Sequence, residues 1–208
     1  MHGTLQISDD MAAAKRRLIV QHARQHFVSG GYAATKIEPI AREAGVSTAT
    51  LYALFGGKAE LFTAVIDDAA EDFSRQMAEV RAIDGDARTT LTSFAAAYAE
   101  FMGDDFVRSV FRLVMAERPR FEAVALRFFE KGRTEFGGTL IGLLVRLSQS
   151  GALKPIDQPS WAAGQLMGMI EHPVFLVPLV TGDEVRMRRS LKEVVTEAVD
   201  TFMARYGA

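Results

Sequence analysis

The sequence predicts an all-α chain, and three observations carry that prediction. Strand-like alternation of apolar and polar residues is scarce. Apolar residues recur at three- and four-residue spacing in nearly every segment between glycine or proline punctuation, and the breaks themselves are short. A first helix is expected from about Asp10 to Ser29, with Ile19, Ala23 and Phe27 on one stripe, the basic run Lys15-Arg16-Arg17 facing out, and Gly30-Gly31 ending it. Residues 35 to 58 then read as two short helices joined by a turn at Gly45. Ile37, Ile40, Ala41 and Ala44 share the apolar face of the first, and Val46, Thr50 or Leu51, and Leu54 repeat the pattern in the second. A left-handed Gly45 would close one helix, and the Ser47 hydroxyl is placed to cap the next. Thr35 and Glu38 match a capping box, but Pro39 has no amide proton for the first internal bond, so a start a few residues later stays open.

After Gly56-Gly57, a fourth helix from about Lys58 to Ile83 keeps Leu61, Val65, Ala69 and Phe73 in register and can join two domains. Asp84-Gly85-Asp86 is a turn, a fifth helix covers about Ala87 to Met102, and Gly103-Asp104-Asp105 opens a sixth that stops before Pro119. A seventh, from about Pro119 to Gln149, carries Ala125, Phe128, Phe129, Gly132, Phe136, Leu140, Leu143, Leu144 and Leu147 on one stripe. Gly137-Gly138 lies in its middle, where each glycine costs ~1 kcal/mol relative to alanine, so a bend or close helix contact is expected there. The eighth, about Ser160 to Val177, is apolar on almost every face and must be covered on two sides. The ninth, about Asp183 to Arg205, stacks Leu191, Val194, Val195, Ala198, Val199, Phe202 and Met203. Such short connections belong to a helical bundle, and the last two helices are the dimer candidate.

With 49% hydrophobic residues and a mean hydropathy of +0.07, the 208-residue chain has ample core material and more apolar surface than a monomer needs. The net charge of -2 hides an asymmetry: residues 1–58 carry seven Lys and Arg against four Asp and Glu, and residues 59–208 carry seventeen against twenty-two. The positive excess therefore sits with the amino-terminal segment that includes the paired short helices, where it supports phosphate contact without demanding it. No cysteine is present, so disulfide frameworks, thiolate metal sites and thiolate nucleophiles are excluded. Met1 to Asp10 lacks a signal-peptide pattern, and the longest apolar stretch, Val174 to Val180, is interrupted by Pro178, so neither a leader nor a spanning helix is expected and the cytoplasm is the default location. There is no Gly-rich phosphate loop, Gly-x-Ser-x-Gly elbow or paired His-Glu zinc motif, and no enzymatic activity, cofactor or metal is expected. His22 and His26 stand four apart without an evident third ligand, which favours a surface or packing role.

Two short helices about a tight turn are the layout of a helix-turn-helix, which places its second helix in the DNA major groove. Ser47, Thr48, Thr50 and Tyr52 are the polar groups available there. Ile40-Ala41, Ala44-Gly45-Val46-Ser47, Thr50-Leu51-Tyr52, Phe55 and Lys58, preceded by Gly30-Gly31-Tyr32 and Thr35, resemble the amino-terminal domain of TetR/AcrR-family transcriptional regulators over about residues 14–66. Phe111-Arg112-Leu113-Val114 and Glu171-His172-Pro173 extend the resemblance to a carboxy-terminal subgroup. The resemblance implies a DNA-reading domain over residues 1–57 and a helical effector-binding and dimerisation domain over residues 58–208. It implies a homodimer, paired through residues of about 160–177 and 183–205, on a double-stranded operator, most simply as a repressor released by a small, largely apolar effector. Thr50 and Tyr52 would then contact the DNA backbone with Ser47 beside them, Thr48 would face bases, and Lys58, Thr35 and Lys36 would hold phosphates. Taken singly, Thr50 could instead be an interior hydroxyl, Tyr52 a packing residue and Lys58 a solvated cation. Ala53 and Leu54 stand where family members often have an aromatic residue or His, and Glu38 where a basic one is common.

For the effector, the resemblance points into the bundle. Phe101, Phe111 and Met115 would face Phe128, Phe129, Phe136, Met167 and Met169 around an apolar cavity, with His172 beside Glu171 as its polar group. The alternative is that these residues fill the core and that Glu171-His172 makes a structural hydrogen bond. Two other functions compete: an architectural DNA binder without effector response, and a helical small-molecule carrier without DNA binding.

Overall fold

The computed structural model describes residues 2–83, 85–182, 184, 185 and 187–208. Every regular element among them is helical, and the single extended pairing is an isolated bridge between Leu153 and Gly207. The chain divides into two compact units, Met1–Ala69 with Ser109–Phe128, and Ala70–Arg108 with Phe129–Ala208.

The first unit begins with α1 (His2–Ala34), which buries Ile19, Ala23 and Phe27 as the stripe requires. It starts at His2 rather than Asp10, since no proline stands among residues 2–10 to prevent it. Gly31 breaks it with φ +71°, a conformation that costs glycine alone nothing. Two short helices follow, α2 (Ile37–Glu43) and α3 (Thr48–Phe55). Gly45 between them sits at φ +67°, and Gly45 N and Val46 N donate back to the Arg42 and Ala41 carbonyls. The Thr35–Glu38 capping box does not form. Lys36 is the residue before the helix and caps it with no side chain, so Pro39 falls among the first amides, where a missing proton costs nothing.

Side chains of α1 pin both short helices. His26 Nε2 and His22 Nδ1 approach Glu43 Oε2 at 2.9 and 3.7 Å, and the hydrogen bond from His26 holds the Glu43 carboxyl below its ordinary range. Arg16, expected only to face out, donates to the Leu54 carbonyl at 2.6 Å and lies 4.2 Å over the Phe55 ring, satisfying the carboxy-terminal end of α3. A cluster of Phe27, Tyr32, Phe62 and Phe121, with ring centroids 4.6–6.0 Å apart, closes this unit's core.

Three helices contribute residues to both units: α4 (Lys58–Arg81), α6 (Asp105–Glu117) and α7 (Glu122–Gly132). In the second unit, α5 (Ala87–Gly103) is capped by Asp86, whose carboxylate accepts from Thr89 N; Asp84 of the predicted turn lies outside the described residues. The long seventh helix starts at Glu122 and passes, up to Gly137-Gly138, through a π-helical segment (Arg133–Gly138) that leads into α8 (Thr139–Gln149). A second π-helical segment (His172–Leu176) joins α9 (Pro159–Glu171) to α10 (Val177–Thr181), and Pro173 and Pro178 there remove donors from the regular ladder. The last helix, α11 (Leu191–Tyr206), begins later than expected because Ser190 and Glu193 form a reciprocal capping box; Asp183 and Arg186 lie outside the described residues.

α5, α8, α9 and α11 pack together around Leu91, Phe94, Tyr98, Leu140, Leu144, Leu166, Ile170 and Phe202. Glu135, in the first π-helical segment, ties it to α4: Ser74 donates to it at 2.8 Å, Arg81 pairs with it, and Lys131 lies at 3.4 Å. Burial alone would raise its carboxyl, and these three donors together bring it below its ordinary range. Residues Pro159–Thr181 form one continuous helical run long and apolar enough, by length and composition, to cross a membrane, which the sequence reading did not expect. Its inner face, Ala162, Ala163, Leu166, Ile170 and Val174, is buried within the unit, whereas Trp161 is 66% and Val180 75% exposed.

Candidate nucleic-acid interface and effector region

The Ser47 hydroxyl accepts from Thr50 N at 3.0 Å and lies 2.8 Å from Thr50 Oγ1, so the amino end of α3 is closed by its own side chains. Leu51 and Phe55 point inward and are buried; Ser47, Ala49, Tyr52 and Ala53 point outward. Tyr52 is 47% exposed, while Thr48 and Thr50 are half-buried. The helix therefore presents hydroxyls and methyl groups on the side away from α1, with its amide-rich end flanked by Ser47 and Thr48. Such an end attracts anions through its aligned amides.

Lys36 is exposed at the head of α2, and Lys58, at the head of α4, donates to the Ala33 carbonyl at 3.1 Å and lies 4.7 Å over the Tyr32 ring. One bond leaves two ammonium protons for other acceptors. Thr35 is corrected. It is buried, and its hydroxyl donates to the Gly31 and His26 carbonyls at 2.7 and 3.0 Å, which closes the break after α1 and leaves no proton for a phosphate.

The residues predicted around an effector do not come together. Phe101 and Phe136 are buried and pack on each other and on Phe73, with centroids 5.3–5.5 Å apart, so rings fill the space they were expected to line. Phe111 packs on Phe128 at 5.0 Å, and Met115 and Phe129 are 52% and 62% exposed because they lie on the outer sides of their helices. Met169 and His172 do share a cavity of about 620 Å³, an open groove between α9 and α11 that Val194, Ala198 and Thr201 complete. Met167 is absent from its lining. Glu171 lies beside the buried Tyr98 hydroxyl, and its own burial raises its carboxyl above the ordinary range.

Residues 19–65 match the family model described as bacterial regulatory proteins, tetR family, and residues 89–208 match that of the AefR-like transcriptional repressor, C-terminal domain. The chain belongs to the TetR family. It is accordingly a DNA-binding transcriptional regulator and not an enzyme. A solved regulator assigned to this family from Mesorhizobium loti MAFF303099 is 26% identical, with a TM-score of 0.82 over 95% of this chain and 98% of that one. The flavonoid-responsive regulator FrrA is 25% identical, with a TM-score of 0.70 over 93% of this chain and 97% of its own. The regulator FadR of Bacillus subtilis, solved with stearoyl-CoA, is 19% identical, with a TM-score of 0.66 over 89% of this chain and 96% of its own, and shows the shared fold. No curated protein matches the sequence.

Proposed function

We propose that this TetR-family chain is a cytoplasmic, homodimeric repressor that binds a roughly palindromic operator and is released by a small, largely apolar effector. One observation carries the reading: α3 exposes Ser47 and Tyr52 at the surface while Leu51 and Phe55 anchor it, which is the division of labour a recognition helix needs. Residues 1–57 read DNA in this proposal, with Thr48 facing bases and Lys36, Ser47, Thr50 and Tyr52 holding the backbone, joined by Lys58 at the head of α4. Residues 58–208 bind effector and partner. Pairing runs through α9 and α11 in this proposal, and the first of these is supported by Trp161, Leu176 and Val180, whose exposed apolar surface on the Pro159–Thr181 run asks for cover. Two heads must stand one helical turn apart, ~34 Å, to engage successive major grooves. An effector that prefers a wider separation lowers DNA affinity by its differential affinity for that form, with α4 as the covalent link between the units. Footprinting on the DNA beside its own coding region tests the operator claim, and small molecules added to that complex test release. Protection that no effector relieves would favour an architectural binder; absence of protection together with small-molecule binding would favour a carrier.

A further inference from the structure

The turn between α6 and α7 contributes to the first unit through two adjacent residues. Phe121 packs on Tyr32 and Phe62 at 4.9 and 4.6 Å between centroids, and Arg120 places its guanidinium carbon 5.0 Å from the centre of the same Tyr32 ring. Lys58 approaches that ring to 4.7 Å, so the two cations stand within about 10 Å of each other. Neither has an acidic partner among the described residues, although neighbouring Arg118 is paired with Glu122 at 3.2 Å. The turn is also firmly held. Arg120 N and Phe121 N both donate to the Glu117 carbonyl at 3.0 Å, and Pro119 fixes the backbone between them and Arg118.

Two like charges gathered on one aromatic ring repel each other, and a bound anion relieves that repulsion. We infer that Arg120 and Lys58, set around Tyr32, form one seat for a backbone phosphate of duplex DNA, so that a residue some sixty positions beyond the helix-turn-helix takes part in DNA binding. The inference rests on the DNA-binding reading above and adds a contact that the helix-turn-helix alone does not supply. A guanidinium beside an ammonium suits a phosphodiester, because the planar fork can hold two oxygens while the ammonium serves as a point charge.

The test is the salt dependence of binding to a labelled duplex from beside its own coding region, read by fluorescence anisotropy. Each phosphate contact contributes about 0.9 to the slope of log K against log salt. Arg120→Ala is expected to lower the slope by about that amount, Arg120→Lys to restore it, and Arg118→Ala to leave it unchanged. Arg120→Ala with Lys58→Ala should lose roughly twice as much. A purely structural Arg120 would reduce the fraction of active protein without altering the slope, and circular dichroism checks that each variant is folded. A wild-type slope in a folded Arg120→Ala protein overturns this inference while the DNA-binding reading stands. A wild-type protein that binds no duplex overturns that reading first, and the phosphate seat with it.

Discussion

Ser47 joins stability to recognition, and substitution separates the two. Its hydroxyl oxygen satisfies Thr50 N, one of the few amides at the head of an eight-residue helix. Ser47→Ala should cost about 1 kcal/mol, a typical cap loss. In a chain of this size that lowers the melting temperature by about 2–4 °C. Because α3 must be formed to bind, affinity for operator DNA should fall by up to about fivefold, the equivalent of the same 1 kcal/mol. Ser47→Asp retains the cap and sets a carboxylate at the positive end of the helix, so stability should be equal or higher. The same carboxylate faces the proposed phosphate position, and affinity should drop at least tenfold, about 1.4 kcal/mol. Thermal unfolding and fluorescence anisotropy on one set of proteins read both effects. A Ser47→Asp protein that binds DNA like the wild type would refute the placement of this helix end against phosphates. An Ala variant with unchanged melting would refute the cap.

Tyr52→Ala and Lys58→Ala should weaken binding to all duplexes by similar factors, about 1 kcal/mol each, whereas Thr48 substitutions should shift base preference; a panel of point-mutated operators distinguishes these outcomes. Glu135→Gln should cost about 2 kcal/mol, since it removes the charge that Ser74, Arg81 and Lys131 serve, and urea unfolding reads the loss. The Glu135 carboxyl lies below its ordinary value of 4.5, so its contribution is complete above about that pH and is lost as pH falls through the depressed value. The variant and wild type should therefore converge in acid. Glu171 has the opposite sign: its raised carboxyl contributes fully below 4.5, and that contribution is lost as pH rises through the raised value. Glu171→Gln should melt higher than wild type at neutral pH and no higher in acid. Trp161→Asp should produce monomers in sedimentation; since Trp161 is the single tryptophan, its wild-type emission should lie further to the blue than 66% exposure in one chain implies.

Local chemistry was legible wherever a residue acts on its own neighbours. Gly45 closes α2 and Ser47 caps α3 because both effects are decided within four residues, and the π-helical departure from regular spacing ends at two adjacent poor helix formers, Gly137-Gly138. The Ser190–Glu193 capping box is equally local, since a serine followed three residues later by Glu before an apolar run carries that signature, whereas apolar spacing alone extends the helix back to about Asp183. The spaced set from Ile40 to Lys58 was sufficient to place the chain in its family. The sequence by itself thus determined the all-helical class, the paired short helices and the polar tip of α3, because periodicity and capping are properties of contiguous residues.

Tertiary structure decided which side chains meet across long separations. Thr35 reads as a free hydroxyl until the carbonyls of His26 and Gly31 are seen to take its proton. Phe129 and Phe136 lie on one apparent stripe seven residues apart, yet one is exposed and the other buried; a π-helical turn between them shifts the phase that regular spacing assumes. Arg120 and Tyr32 are 88 positions apart, and no periodicity links them. Such meetings depend on how whole helices pack, a sum of many weak apolar contacts that no short window of sequence contains.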